Sequence, residues 1–147
     1  MAPASPPQDG PFVHRTQVRF SQTDPAGYVF YPRFFEMFQA AVEDWFYEEL
    51  EIDYADMFRG GRGLPTAHSE CDFIHPCRLG DLLELAIILE KIGKSSITLR
   101  FEGRVGESLC LKALLVLVFI DTGDGRPRPI APNVLERLEV YAEKMPA

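Results

Sequence analysis

The spacing of apolar residues along this chain changes period at a few clear points, and each change predicts an element. From Phe12 to Phe20, Thr16, Val18 and Phe20 alternate with Arg15, Gln17 and Arg19, the signature of a half-buried strand. Asp24-Pro25-Ala26-Gly27 then places favoured residues at the first, second and fourth positions of a type I turn. From Pro32 to about Leu50 the repeat becomes three and four. Phe34, Phe35, Phe38, Ala41, Val42, Trp45 and Phe46 form the apolar set, with Glu36, Glu43, Glu48 and Glu49 between them. Pro32 suits a first helical position, where its missing N–H loses nothing, so a long helix with a wide aromatic face is expected. Asp53 to Gly63 reads as a helical turn at most, followed by a Gly-rich loop.

Four further segments read as strands: Thr66 to Ile74, Leu82 to Glu90, a third around Ile97, Leu99 and Phe101, and Leu109 to Ile120. Gly93-Lys94 and Gly103 to Ser108 look like hairpin connections, so antiparallel pairing is expected. After a turn-rich stretch from Asp121 to Pro132, Asn133 to Lys144 reads as a short closing helix on Leu135, Leu138 and Tyr141. The order predicts an α+β domain in which a sheet of about five strands wraps one long helix. Leu109 to Ile120 is apolar on both faces apart from Lys112, and one helix covers only one face. The other face is therefore expected to meet a second subunit.

Composition narrows the classes. At 147 residues the chain fits one domain, expected over residues 12–147, with a flexible Pro-rich leader over 1–11 in place of a signal peptide. The formal charge of −7 disfavours a general nucleic-acid binder but leaves room for an anionic ligand met by local cations. Cys71, Cys77 and Cys110 are an odd set without a Cys-x-x-Cys pair, which fits reduced thiols in a cytoplasm. The longest apolar run, Ala113 to Ile120, has eight residues, well short of the ~20 that span a bilayer. No membrane partner is expected.

Candidate chemistry concentrates between Gln17 and Pro32. Asp24 sits at a tight turn shortly before a helix start, whose unpaired N–H groups and partial positive charge suit a developing oxyanion. A turn preference alone explains both residues, so local spacing by itself favours a structural turn over chemistry. Gln17-Val18, Thr23-Asp24-Pro25-Ala26-Gly27, Tyr31-Pro32 and the aromatic helix together resemble the 4-hydroxybenzoyl-CoA thioesterase family of hotdog-fold acyl-CoA thioesterases. Phe73 to Asp81, with its Pro and Gly80-Asp81, is similar to the ending of that family's second strand, and the element order agrees from about Phe12 to Tyr141.

The resemblance implies a hotdog fold, paired subunits forming one continuous sheet, and active sites at the subunit interface. It implies Asp24 as the catalytic carboxylate and the backbone N–H of Tyr31 as the group that polarises the thioester carbonyl. The reaction would convert acyl-CoA and water to a carboxylate and free CoA, with no cofactor beyond the CoA of the substrate. A carboxylate ionised at neutral pH is able to attack the thioester directly or to act as a base on water. The resemblance further implies Lys94 and Ser95 at the nucleotide end of CoA, and Arg126 and Arg128 as phosphate contacts. Gly93 stands where some relatives carry another basic residue.

Other signals carry less. His68, Cys71, His75 and Cys77 lack zinc-knuckle spacing, and on a strand His68 points away from the other three, so no metal is expected. The Arg59 to Gly63 RGG-like segment reads as a loop. Glu43 is the reserve carboxylate, because other hotdog thioesterases use a helix glutamate. Two rival functions remain: a hotdog domain that binds acyl-CoA without turnover, and a hydratase or dehydratase. The latter pairs a His with a carboxylate, and none adjoins Asp24 in sequence. A homo-oligomer, a dimer or a dimer of dimers, is expected.

Overall fold

The computed structural model describes residues 10–145, so most of the expected leader lies outside the described residues. The elements run β1 (Phe12–Gln17), α1 (Pro32–Asp44), α2 (Tyr54–Arg59), β2 (Arg62–Gly63), β3 (Thr66–Phe73), β4 (Leu82–Ile92), β5 (Ser96–Val105), β6 (Ser108–Val118), β7 (Ile120–Asp121) and α3 (Pro132–Glu143). Five strands form one antiparallel sheet in the order β1-β4-β5-β6-β3. The expected architecture of a sheet around a long helix is what the chain adopts.

The period-two pattern sorts the sheet. Leu83, Leu85, Ile87, Ile97, Leu99, Phe101, Leu111 and Leu117 point inward and are buried. They meet Phe34, Met37, Phe38, Ala41 and Val42 of α1, and the Phe38 ring lies 5.1 Å from that of Phe101. At Gly103 on β5 a Cβ would stand 2.8 Å from Leu111 Cγ, so glycine is what lets Leu111 enter the core. The expected Gly103–Ser108 connection is accordingly shorter: β5 runs to Val105, and Gly106 turns the chain at φ +61°.

Three other boundaries differ from expectation. β1 stops at Gln17 because Val18 leaves the sheet for the loop before β4, exchanging backbone bonds with Asp81 and Gly80 at 2.8 and 3.0 Å. The long helix is α-helical only to Asp44. Trp45–Glu49 forms a π turn, closed by a 3.0 Å bond from Leu50 N–H to the Trp45 carbonyl, and this keeps Trp45 and Phe46 on the buried face. Arg62–Gly63 leaves the Gly-rich loop to pair with Ile120–Asp121 in a separate two-stranded sheet.

α3 closes the opening beside β1. The buried Tyr141 hydroxyl accepts from Phe12 N–H at 2.8 Å and donates to the Ile87 carbonyl at 2.5 Å, and burial raises its pKa. His14 Nδ1 on β1 meets Asp44 Oδ2 at 2.7 Å at the far end of α1.

Phe38 joins helix to sheet at the middle of the core. Truncation of a buried Phe to Ala destabilises by about 3–5 kcal/mol. Urea unfolding of Phe38→Ala is expected to show a loss of that size; a loss under about 1 kcal/mol contradicts this packing.

Candidate active site

Thr23 to Val29 form a small hairpin that leaves β1 and returns to α1. Thr23 bridges Val29, and Phe30 N–H donates to the Gln22 carbonyl at 2.9 Å. Gly27 N–H closes the turn onto the Asp24 carbonyl at 2.9 Å, with Gly27 at φ +86°, where a side chain would be strained. The predicted turn is therefore present, and its first residue does more than start it. Asp24 Oδ1 accepts from Ala26 N–H at 2.9 Å and from Tyr28 N–H at 3.2 Å, while Asp24 N–H donates to the Tyr28 carbonyl at 2.8 Å. Among the described residues no protein donor is bonded to Oδ2. An open groove of about 430 Å³ lies against this carboxylate, lined by Phe20, Thr23, Asp24, Pro25, Gly27 and Leu79.

The start of α1 lies beside the hairpin. A helix ordinarily leaves four N–H groups unpaired at this end. Here Pro32 has none, and Arg33 and Phe34 donate to the carbonyls of Phe30 and Tyr31 at 2.8 and 3.1 Å. The Tyr31 N–H is the one left without a partner among the described residues. Around it runs a chain of rings: Phe30 to Tyr31 at 5.6 Å, Tyr31 to Phe73 at 6.3 Å, and Phe73 to Phe34 at 5.6 Å. Tyr31 is 61% exposed and Phe73 48%, so much aromatic surface faces outward beside an unpaired donor.

The expected cations lie elsewhere. Lys94 and Ser95 form the β4–β5 turn, and their carbonyls accept from Ile130 N–H at 2.9 Å and Phe119 N–H at 2.7 Å. Arg128 N–H in turn reaches the Phe119 carbonyl at 2.9 Å, which gathers the Lys94 turn and the Arg126–Arg128 loop at one place. Arg128 is engaged by Asp124 at 2.8 Å and Asp121 at 3.9 Å. Asp124 is held below the usual carboxylate range, chiefly by the Arg126 backbone N–H and also by Arg128. Lys94 and Arg126 form no ion pair among the described residues, so they are the freer cations.

One chain does not bring this cluster to Asp24. The hairpin is tied to Cys77 and Leu79, just before the Leu82 start of β4, and Lys94 follows its Ile92 end. Eleven residues of strand separate the two by roughly 33 Å.

The remaining candidates fall outside the hairpin. Glu43 is exposed on α1 and accepts from Gln39 at 3.1 Å, about 16 Å along the axis from Pro32. His68 pairs with Glu70 at 2.7 Å, and no three metal-ligating side chains converge among the described residues. Cys77 and Cys110 are buried, and burial lifts the Cys77 thiol to about 12 and the half-buried Cys71 to about 11, so neither is a ready thiolate. Arg78 was not singled out from the sequence, yet it lies against the hairpin, its guanidinium 5.3 Å from the Tyr28 ring. A lone Arg in an ordinary loop sequence carries no local signal of such placement.

Residues 18–138 match the family model of the thioesterase-like superfamily. A 1,4-dihydroxy-2-naphthoyl-CoA hydrolase from Nostoc punctiforme is 29% identical over 87% of this chain and 86% of its own length. A protein of the same name from Prochlorococcus marinus is 30% identical over 69% of this chain and 72% of its own. The crystal structure of a 1,4-dihydroxy-2-naphthoyl-CoA thioesterase from Synechocystis superposes with a TM-score of 0.80 at 25% identity, covering 88% of this chain and 96% of that one.

Proposed function

The chain belongs to the thioesterase-like superfamily with its hotdog fold, and on that premise we propose that it hydrolyses an aromatic acyl-CoA at Asp24. Acyl-CoA thioester hydrolysis is the reaction named for its curated relatives. The observation that carries the assignment to Asp24 is the division of its carboxylate: Oδ1 is held by two backbone N–H groups, Oδ2 has no protein donor among the described residues, and Asp24 lines an open groove.

The chemistry follows from that division. Oδ2 attacks the thioester carbonyl carbon, and the oxygen of the tetrahedral intermediate takes the Tyr31 N–H. The C–S bond then breaks with CoA leaving as thiolate, and a mixed anhydride remains on Asp24. Water cleaves the anhydride, which releases the carboxylic acid and restores Asp24. The ring chain from Phe30 to Phe34 supports an aromatic acyl group, as does the dihydroxynaphthoyl group in the names of its relatives. Lys94 and Arg126 supply the cationic end for the nucleotide, with Ser95 as a hydrogen-bonding neighbour and Arg128 as a weaker contributor because Asp124 already engages it. None of the three histidines is bonded to Asp24, so nothing favours a hydratase.

The site is shared between two copies of the chain. Among the described residues β3 is hydrogen-bonded only to β6, and seven of its eight residues are exposed. Such an edge is a template for another strand. Its Phe73 end touches Tyr31 and Phe34, and its Thr66 end adjoins Val118, Phe119 and the Lys94 turn. Antiparallel pairing of β3 with its symmetry mate sets the Asp24 end of one protomer beside the cationic end of the other. The free thiols fit a cytoplasmic enzyme.

Free-thiol release from benzoyl-, hydroxybenzoyl-, dihydroxynaphthoyl- and straight-chain acyl-CoAs is expected to favour the aromatic thioesters. Asp24→Asn is expected to lose at least about a hundredfold in rate; more than a tenth of wild-type turnover overturns the assignment. Light scattering at micromolar concentration is expected to give a dimer or larger, and a monomer overturns the shared site.

A further inference from the structure

We propose that Arg78 is a positioning residue for the Asp24 carboxylate, acting through Tyr28. This rests on the reading of Asp24 as the reacting group. Tyr28 grips Asp24 twice, donating its N–H to Oδ1 and accepting the Asp24 N–H at its carbonyl. The donation to Oδ1 is the longer of that oxygen's two bonds, 3.2 Å against 2.9 Å from Ala26. It is therefore the one whose quality depends most on what holds Tyr28 in place.

What holds it is the segment before β4. Val29 N–H donates to the Cys77 carbonyl and Leu79 N–H to the Gly27 carbonyl, both at 2.9 Å, with Tyr28 and Arg78 facing each other as a bridge. The Arg78 side chain then lies along the Tyr28 ring, its Cζ 5.3 Å from the centroid and its Nη2 donating to the phenol oxygen at 3.3 Å. Its backbone N–H is fixed by Asp81 Oδ2 at 2.8 Å. Among the described residues Arg78 has no carboxylate partner for its side chain, so the phenol is its contact. The choice of partner has a consequence. A carboxylate placed there would add negative charge beside Asp24, whereas a guanidinium over a ring clamps the return arm with a cation.

Arg78 does not line the groove, so it acts on the orientation of Asp24 and not on substrate binding. Misplacing a reacting group lowers turnover with binding preserved. An exposed cation–π contact is modest, so Arg78→Ala is expected to lower kcat about threefold to tenfold. KM for the acyl-CoA should stay within about twofold.

The test measures kcat, KM and Tm for Arg78→Ala, Arg78→Lys, Tyr28→Phe and Asp24→Asn. Arg78→Lys keeps a cation over the ring and should recover most of the lost kcat. Tyr28→Phe keeps the ring but loses the hydroxyl acceptor, so its deficit should be smaller than that of Arg78→Ala. A wild-type kcat in Arg78→Ala, with Asp24→Asn inactive, overturns this inference alone. So does a raised KM at unchanged kcat, which would make Arg78 a substrate contact. Equal loss in Arg78→Ala and Arg78→Lys, tracking a fall in Tm, would reduce Arg78 to a structural role. Activity retained in Asp24→Asn would instead overturn the reading on which the inference stands.

Discussion

The width of the apolar face on the long helix governs the rest of this molecule. Phe34, Phe38, Ala41 and Val42 on α1 continue into Trp45 and Phe46 on the π turn, and all are buried. A face that broad cannot be covered by one neighbouring helix, so a sheet must curl around it. The inner surfaces of β4, β5 and β6 are consumed by that task. Little of the interior is left for polar chemistry, and no polar or charged residue is fully buried among those described. Polar groups are left to the surface, which includes the ends of the strands and the edges of the sheet.

The ends differ in kind. At one end a seven-residue hairpin spends backbone donors on a single carboxylate oxygen, and among the described residues the other oxygen and the nearby Tyr31 N–H have no partner. At the other end the Lys94 turn and the Arg126 loop gather cations in a chain whose charge is −7 overall. Steady attraction of a polyanion to an acidic protein needs such local concentration, and it should weaken with salt. A strand of eleven residues holds the two ends apart, so within one chain the cations stay far from the Asp24 hairpin. The edge of β3, hydrogen-bonded only to β6 among the described residues, is where the proposed antiparallel pairing with a second copy would bring the two kinds of end together.

Much of this was legible in the order of residues. The shift from a two-residue to a three- and four-residue repeat located β1, α1 and the strands of the sheet, and Pro32 marked the helix start to the residue. Asp24 was legible as a turn residue, and it stood out as chemistry only through its similarity to a known motif. What escaped has physical reasons. The π turn at Trp45 is set by packing and has no local composition. The β2–β7 pair joins segments nearly sixty residues apart, each two residues long, too short for any periodic signal. Gly103 reads as a turn residue, while its actual role is to make room for Leu111. The separation of Lys94 from Asp24, the engagement of Arg128 by Asp124 and the contact of Arg78 with Tyr28 are products of tertiary topology. No linear spacing encodes them.

If each site takes its carboxylate from one chain and its cations from another, two differently damaged chains can repair each other. Subunit mixing tests it most directly. Asp24→Asn protein is combined with a Lys94→Ala/Arg126→Ala variant at limiting acyl-CoA, after dissociation and reassociation. The mixture is expected to regain activity that neither parent shows. Half of the reassembled dimers are mixed and each carries one intact site, giving about a quarter of the wild-type sites. A mixture no more active than the average of its parents would contradict the claim, and would place both halves of the site within one chain.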